Sequence, residues 1–187
     1  MAQLKMLWFG GAPALTEIPE GFDIITHADD GKYGADLTAG WIDACEELNG
    51  KLVTREDFQK SMLDDPALTP AQIFYIVERS SGSVGGTAAA LMNPDCPSLH
   101  MVGVSKAYRG RGLSAPVCAA VLRYFDENGV RRASLNTDDF RIPAIKTYLR
   151  LGYRPWLYED DMAERWTAIY AKIGADSSEY PMLPAES

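Results

Sequence analysis

Apolar positions recur along this chain at two spacings, every second residue and every third or fourth, and the switches between them mark out its elements. Phe22 to Thr26 reads as a short strand, and Tyr33 to Leu48 as a helix with Leu37, Trp41, Ala44, Cys45 and Leu48 at helical spacing. Thr54 followed by Asp57, ahead of Phe58, Met62 and Leu63, has the form of an N-cap and opens a second short helix that Pro66 ends. Gln72 to Arg79 is rich in β-branched and aromatic residues, Ser80 to Ser83 supplies turn chemistry, and Val84 to Met92 resumes the apolar run, which together predict a hairpin. After an Asn-Pro-Asp-Cys-Pro turn, Leu99 to Val104 gives a third strand. Its period of two sets His100, Val102 and Val104 on one face and Met101 and Gly103 on the other.

From Leu113 the apolar positions Val117, Ala120, Val121, Tyr124 and Phe125 describe a helix that Gly129 stops, with Pro116 tolerated in its first turn. Ala133 to Thr137 is the next strand, and Asp138 or Asp139 caps a helix through Leu151 that Gly152 ends. Tyr153 to Tyr158 reads as a strand and Ala163 to Ile173 as a further helix. Residues 1–174 therefore read as one domain, without repeat or linker, and 175–187, with two prolines and few apolar residues, as a poorly ordered tail.

Composition narrows the class. The 187 residues are 47% apolar and 24% charged, ordinary for a globular chain. No apolar run approaches the roughly 20 residues of a membrane span, and the N-terminus lacks the basic and apolar regions of a signal peptide. Cys45, Cys96 and Cys118 are odd in number and form no CxxC pair, which suits reduced thiols and a cytoplasmic location. A net charge of −8 disfavours nucleic acid as a partner. The charge is uneven, however. His100 to Pro155 carries ten Lys and Arg against four Asp and Glu, so one stretch of an acidic chain is basic.

That stretch contains a strand, a Gly/Arg loop and a helix start, which places backbone N–H groups and partial positive charge where a phosphate can sit. Gly110 and Gly112 let the backbone approach a ligand, and Lys106, Arg109 and Arg111 add charge. A glycine-rich turn with solvated arginines is the plainer account of the loop taken alone. Gly110 to Ala115 also fits G-x-G-x-x-A, the pattern of NAD(P)-dependent oxidoreductases, but its first glycine lies six residues beyond Val104 and the preceding hairpin is foreign to a dinucleotide fold.

Val102-Gly103-Val104 followed by Tyr108-Arg109-Gly110-Arg111-Gly112-Leu113-Ser114 resembles the acyl-CoA signature Gln/Arg-x-x-Gly-x-Gly/Ala of the GNAT acyltransferase superfamily. About 29 residues later, Ala144 to Tyr153 is similar to that family's second signature, with Ala144, Tyr148 and the closing Gly152-Tyr153 in place. The resemblance implies an α/β domain whose mixed, mostly antiparallel sheet, flanked by helices, is splayed between strands 99–104 and 133–137 around acetyl-CoA. It implies that the amides of Arg109 to Ser114 hold the pyrophosphate, that Val102, Gly103 and Val104 line the pantetheine arm, and that Asn136 and Arg141 contact the cofactor from the far strand. Ser114 stands where Gly or Ala is usual, and Arg141 where Asn is common. No metal is implied, and homodimers are common in the family.

The resemblance further implies transfer of an acetyl group to a primary amine of a small molecule or peptide. Tyr148 would protonate the departing thiolate, and His100 would be the base. A phenol near pKa 10 giving its proton to a thiolate near 8.5 is uphill by roughly 2 kcal/mol, which hydrogen bonding can offset. A half-buried aromatic and a satisfied histidine are the structural alternatives for these two residues, and a CoA-binding sensor or scaffold without turnover is the alternative for the protein. His27, beside Asp29 and Asp30, reads as a surface residue. No cysteine is placed for a covalent intermediate, and the acidic remainder of the chain favours a cationic acceptor.

Overall fold

The computed structural model of the protein describes residues 2–11, 13, 17–45 and 52–186. Seven strands, β1 (Leu4–Trp8), β2 (Phe22–Thr26), β3 (Ile73–Glu78), β4 (Val84–Leu91), β5 (Ser98–Val104), β6 (Ala133–Thr137) and β7 (Arg154–Trp156), form one sheet in the order β2-β3-β4-β5-β6-β1-β7. Neighbours are antiparallel except β5 and β6. The helices are α1 (Leu37–Cys45), α2 (Arg55–Phe58, continued by a wider turn over Gln59–Leu63), α3 (Ser114–Glu127), α4 (Ile142–Arg150) and α5 (Met162–Ile173). This is the mixed, mostly antiparallel α/β sheet that the sequence predicts.

Alternation along the strands divides the core in two. Ile76, Ala88, Ala90, Leu99 and Leu135 face α3, α4 and α5, while Ile73, Tyr75, Val77, Ala89 and Leu91 face Trp41 and Cys45 of α1 and Phe58 and Met62 beyond it. Absent side chains allow α1 to approach closely. A Cβ on Gly103 would stand 2.4 Å from the Ala44 carbonyl oxygen, and one on Gly40 would stand 2.2 Å from Val84 Cγ2. Thr54 accepts from the Asp57 amide while Asp57 accepts from the Thr54 amide, the reciprocal cap that the sequence predicts.

Two features of β5 shape the middle of the sheet. Thr87 pairs with Gly103 and Ala89 with His100, so Ala88 opposes two residues, Met101 and Val102, and Met101 has a φ of 48°. This is a β-bulge, and it resets the alternation. His100 lies on the α1 face with its partner Ala89, whereas Val102 and Val104 lie on the α3 face. The strict period of two that put these three residues on one face is therefore corrected by the bulge. Second, β5 and β6 pair only at Ser98 with Ser134, beyond which they diverge and leave an opening through the sheet.

Other expectations also change. Leu4, Met6 and Trp8 alternate into the α3-side core on β1, a strand that the sequence reading lacks. The first helix begins at Leu37 after a single tight turn over Lys32–Gly34, and its expected end at Leu48 lies outside the described residues. α4 starts at Ile142 because Asp138 and Asp139 are engaged by arginines: Arg141 Nε donates to Asp138 (2.9 Å) and Arg165 Nε to Asp139 (3.0 Å). Within residues 175–186, read as a poorly ordered tail, Leu183 bridges to β7 and Tyr180 meets α5. The Leu183 amide donates to the Pro155 carbonyl (2.8 Å), the Leu157 amide donates to the Leu183 carbonyl (2.9 Å), and Tyr170 Oη donates to the Tyr180 carbonyl (2.6 Å). Among the described residues, no helix is long and apolar enough to cross a membrane.

Candidate active site

The chain leaves β5 at Val104, and the Ser105 amide donates to the Gly85 carbonyl (3.1 Å) before a tight turn over Lys106–Tyr108. Gly110 and Gly112 follow with φ of 79° and 75°, the left-handed region that L side chains resist. Nothing lies within 4 Å of the Cβ either would carry, so this backbone is bare on its outer side. Leu113 anchors the loop: it is buried, and its Cδ1 lies 2.4 Å from where a Cβ on Gly85 would be. α3 then opens at Ser114, and the amides of its first turn have no intrahelical acceptor, Pro116 having none to offer.

The side chains around the loop are held in place. Arg109 Nε donates to the Val104 carbonyl (3.3 Å), and the Arg111 guanidinium lies 4.9 Å from the centre of the Tyr108 ring, whose hydroxyl donates to Glu78 (3.2 Å). The Ser114 and Thr147 hydroxyls are 3.5 Å apart, linking α3 to α4. A cleft of ≈ 380 Å³ opens beside the helix start, with Trp8, Gly10 and Ala115 on one side and Thr147, Arg150 and Gly152 on the other.

Tyr148 projects from α4 into the α3-side core, 6% exposed, edge-on to Tyr153 with ring centres 6.2 Å apart. Burial pushes its pKa well above 10, so the phenol is protonated at every physiological pH, while the charge of Arg141 acts in the opposite direction. Arg141 stands at the start of α4, paired with Asp138, and its charge reaches both Tyr148 and Cys45. Burial also pushes the thiols of Cys45 and Cys118 up to about 12, so neither supplies a thiolate.

His100 stands across the sheet from Tyr148. Burial lowers its pKa below 6.5, with the charge of Asp65 opposing that shift, so the imidazole is neutral at pH 7. Ser98 pairs in parallel register with Ser134, so Asn136, two residues further along β6, stands level with His100 on the α1 face, and it is exposed there. Register reveals what periodicity alone does not. Asn136 is paired with Lys5, and Lys5 with Trp156, so one transverse row on this face reads Ala89, His100, the opening, Asn136, Lys5, Trp156. Thr137, read from the sequence only as a strand end, has its hydroxyl buried without a hydrogen-bond partner among the described residues. His27 is not a surface residue: it is half-buried against Phe58 and hydrogen-bonded to Tyr75 Oη (3.2 Å). Among the described residues, no group of three or more His, Cys, Asp or Glu is placed to hold a metal ion.

Comparison with known proteins bears on the fold and the family. Mycothiol acetyltransferase of Arthrobacter sp. (strain FB24) is 28% identical over 109 residues, 56% of this chain and 33% of its own length. The mycothiol acetyltransferase of Corynebacterium glutamicum (strain R) is 34% identical over 61 residues, 33% of this chain and 21% of its own. The chain thus spans a third or less of these curated relatives. Among solved structures, a GCN5-related N-acetyltransferase from Sphaerobacter thermophilus superposes with a TM-score of 0.61 at 23% identity, covering 83% of this chain and 49% of that one. A tandem GNAT protein from the clavulanic acid biosynthesis pathway gives 0.55 at 19%, covering 82% and 50%. These likenesses concern the fold. The sequence profile of the acetyltransferase (GNAT) family matches residues 38–153, from the start of α1 through the Tyr148 helix to Tyr153. With well over half of its residues inside that match, and a sheet that opens where the two signatures meet, the chain belongs to the acetyltransferase (GNAT) family.

Proposed function

We propose that the protein transfers the acetyl group of acetyl-CoA directly to a primary amine, across the opening between β5 and β6. The observation that carries this reading is the arrangement at the opening, with an amide-lined loop at its end, a protonated phenol on the α3 face and a neutral imidazole on the α1 face. The backbone at Gly110 and Gly112, bare on its outer side, and the open amides at the start of α3 suit the pyrophosphate, and Arg150 in the adjoining cleft suits the nucleotide end. Val102, Gly103 and Val104 run beside the pantetheine arm, with Asn136 and Arg141 opposite. The bulge frees a backbone N–H from the ladder, a donor for the oxygen that becomes negative when the carbonyl is attacked.

His100 takes a proton from the incoming amine as the C–N bond forms. Tyr148 gives its proton to the sulfur as the C–S bond breaks. Burial of the phenol adds to the roughly 2 kcal/mol reference cost of this transfer. The nearby Arg141 charge and hydrogen bonding in the closed site act against that cost.

A thermal shift with acetyl-CoA, CoA and NAD tests the site, and release of free CoA across an amine panel tests the reaction. Acetyl-CoA at one hundred times its dissociation constant should add about 2.7 kcal/mol of stability. Equal stabilisation by NAD overturns the cofactor assignment. Tight acetyl-CoA binding without CoA release from any amine overturns the reaction in favour of a binding module.

A further inference from the structure

Lys5 is the unexpected member of the row that crosses the opening. Its ammonium lies 4.5 Å from the centre of the Tyr158 ring and 5.6 Å from that of Trp156, and it makes no ion pair with a carboxylate among the described residues. The two rings are fixed by their polar tips: Tyr158 Oη donates to the Gln3 carbonyl, and Trp156 Nε1 donates to the Ala185 carbonyl (3.3 Å). Their centres are 5.4 Å apart at 37°, and Arg132 lies 5.8 Å from the Trp156 ring. The result is a half-buried cation in a rigid aromatic corner whose N–H donors have no anionic partner among the described residues.

The surroundings of the row differ in charge across the opening. On the β5 side, Asp65 lies close enough to His100 for its charge to favour the imidazolium. On the β6 side stand Asn136 and then Lys5. From β5 to β1 is two strand spacings, roughly 10 Å where strands are paired and more here, because β5 and β6 have diverged.

We infer that Lys5, with Trp156 and Tyr158, binds an anionic group of the acceptor, so that the amine substrate is a zwitterion whose carboxylate lies roughly 10 Å or more from the amine presented to His100. The inference rests on the acetyl-transfer reading and refines its acceptor. It also replaces the purely cationic acceptor suggested by overall charge with one that is cationic only at its reacting end. Three extended residues span about 10 Å, so a tripeptide is the shortest peptide with the required reach.

The test compares triglycine with triglycinamide, which differ only in the terminal anion, by CoA release and by acetyl-CoA thermal shift in the same preparations. Wild type should prefer triglycine by about tenfold or more in kcat/KM, the value of one charge-assisted hydrogen bond. Lys5→Met should bring that ratio to about one while keeping its acetyl-CoA shift, and Lys5→Arg should keep the preference. Turnover of both peptides by wild type without discrimination, or discrimination that survives in Lys5→Met, overturns the subsite and leaves acetyl transfer standing. Should wild type bind acetyl-CoA yet acetylate neither peptide nor any panel amine, the acetyl-transfer reading falls and takes the subsite with it.

Discussion

On the α3 side of the sheet, the groups that meet at the opening come from two short stretches, 102–114 and 141–148. On the α1 side, His100, Asn136, Lys5 and Trp156 come from four strands, β5, β6, β1 and β7. The difference lies in what holds each side. A phosphate needs backbone donors and space, which consecutive glycines and a helix start provide locally, whereas the acceptor side exists only once strands distant in sequence have paired in register. The first side suits a cofactor common to a family, and the second can change its ligand by changing one strand.

The largest expected effect falls on the local side. Gly112→Glu puts a carboxylate and a Cβ at a φ of 75° where the phosphate must approach, so the acetyl-CoA shift of about 2.7 kcal/mol should vanish, while the fold loses only about 1–2 kcal/mol of backbone strain. A folded variant that keeps the shift would remove the loop from the site.

Gly103→Ala reaches both sides at once. Its Cβ would press on the Ala44 carbonyl, so α1 must move away from β5, at a cost of about 1–3 kcal/mol by analogy with overpacked cores. Thermal melting should show a fall of several degrees, about 2–4 °C per kcal/mol for a chain of this size. An unchanged melting temperature would mean that α1 does not sit so close.

Smaller in energy is Tyr148→Phe, which keeps the ring and removes one proton. Steady-state kinetics should give kcat lower by about tenfold or more, with CoA affinity within a few-fold, because only an interaction of the transition state is lost. The gentlest change is in pH dependence. Burial holds the His100 pKa below 6.5, so the base form persists at neutrality and is lost only as pH falls through that lowered value. The acidic limb of kcat/KM should therefore lie below pH 6.5, and His100→Gln should remove it. Survival of the limb in that variant would pass the role to another group, and half-buried His27, also lowered by burial, is the control to mutate alongside.

Much of the locally determined structure was legible. The strands over 22–26 and 133–137, the Thr54 cap and the stops at Gly129 and Gly152 rest on signals within a few residues, and they stand in the structure as read. β1 was missed although Gly10 and Gly11 follow it, because in its five residues Leu7 breaks the alternation of Leu4, Met6 and Trp8, and its place between β6 and β7 is a tertiary fact. The bulge at Met101 was illegible for a related reason: it is a disagreement between two strands, and β5 alone shows only its period. The same holds for Asp138 and Asp139, whose arginine partners override their capping propensity. Lys5 could be recognised as part of a site only through its registers with Asn136 and Trp156.

Acetyl-CoA and the amine should occupy opposite faces of the sheet together and exchange the acetyl group through the opening. Initial velocities recorded while both concentrations are varied distinguish this from stepwise transfer. A ternary complex predicts intersecting double-reciprocal lines and no free CoA released before the amine is added. Parallel lines, with a stoichiometric burst of CoA from acetyl-CoA alone, would show an acetylated enzyme and contradict the two-faced site.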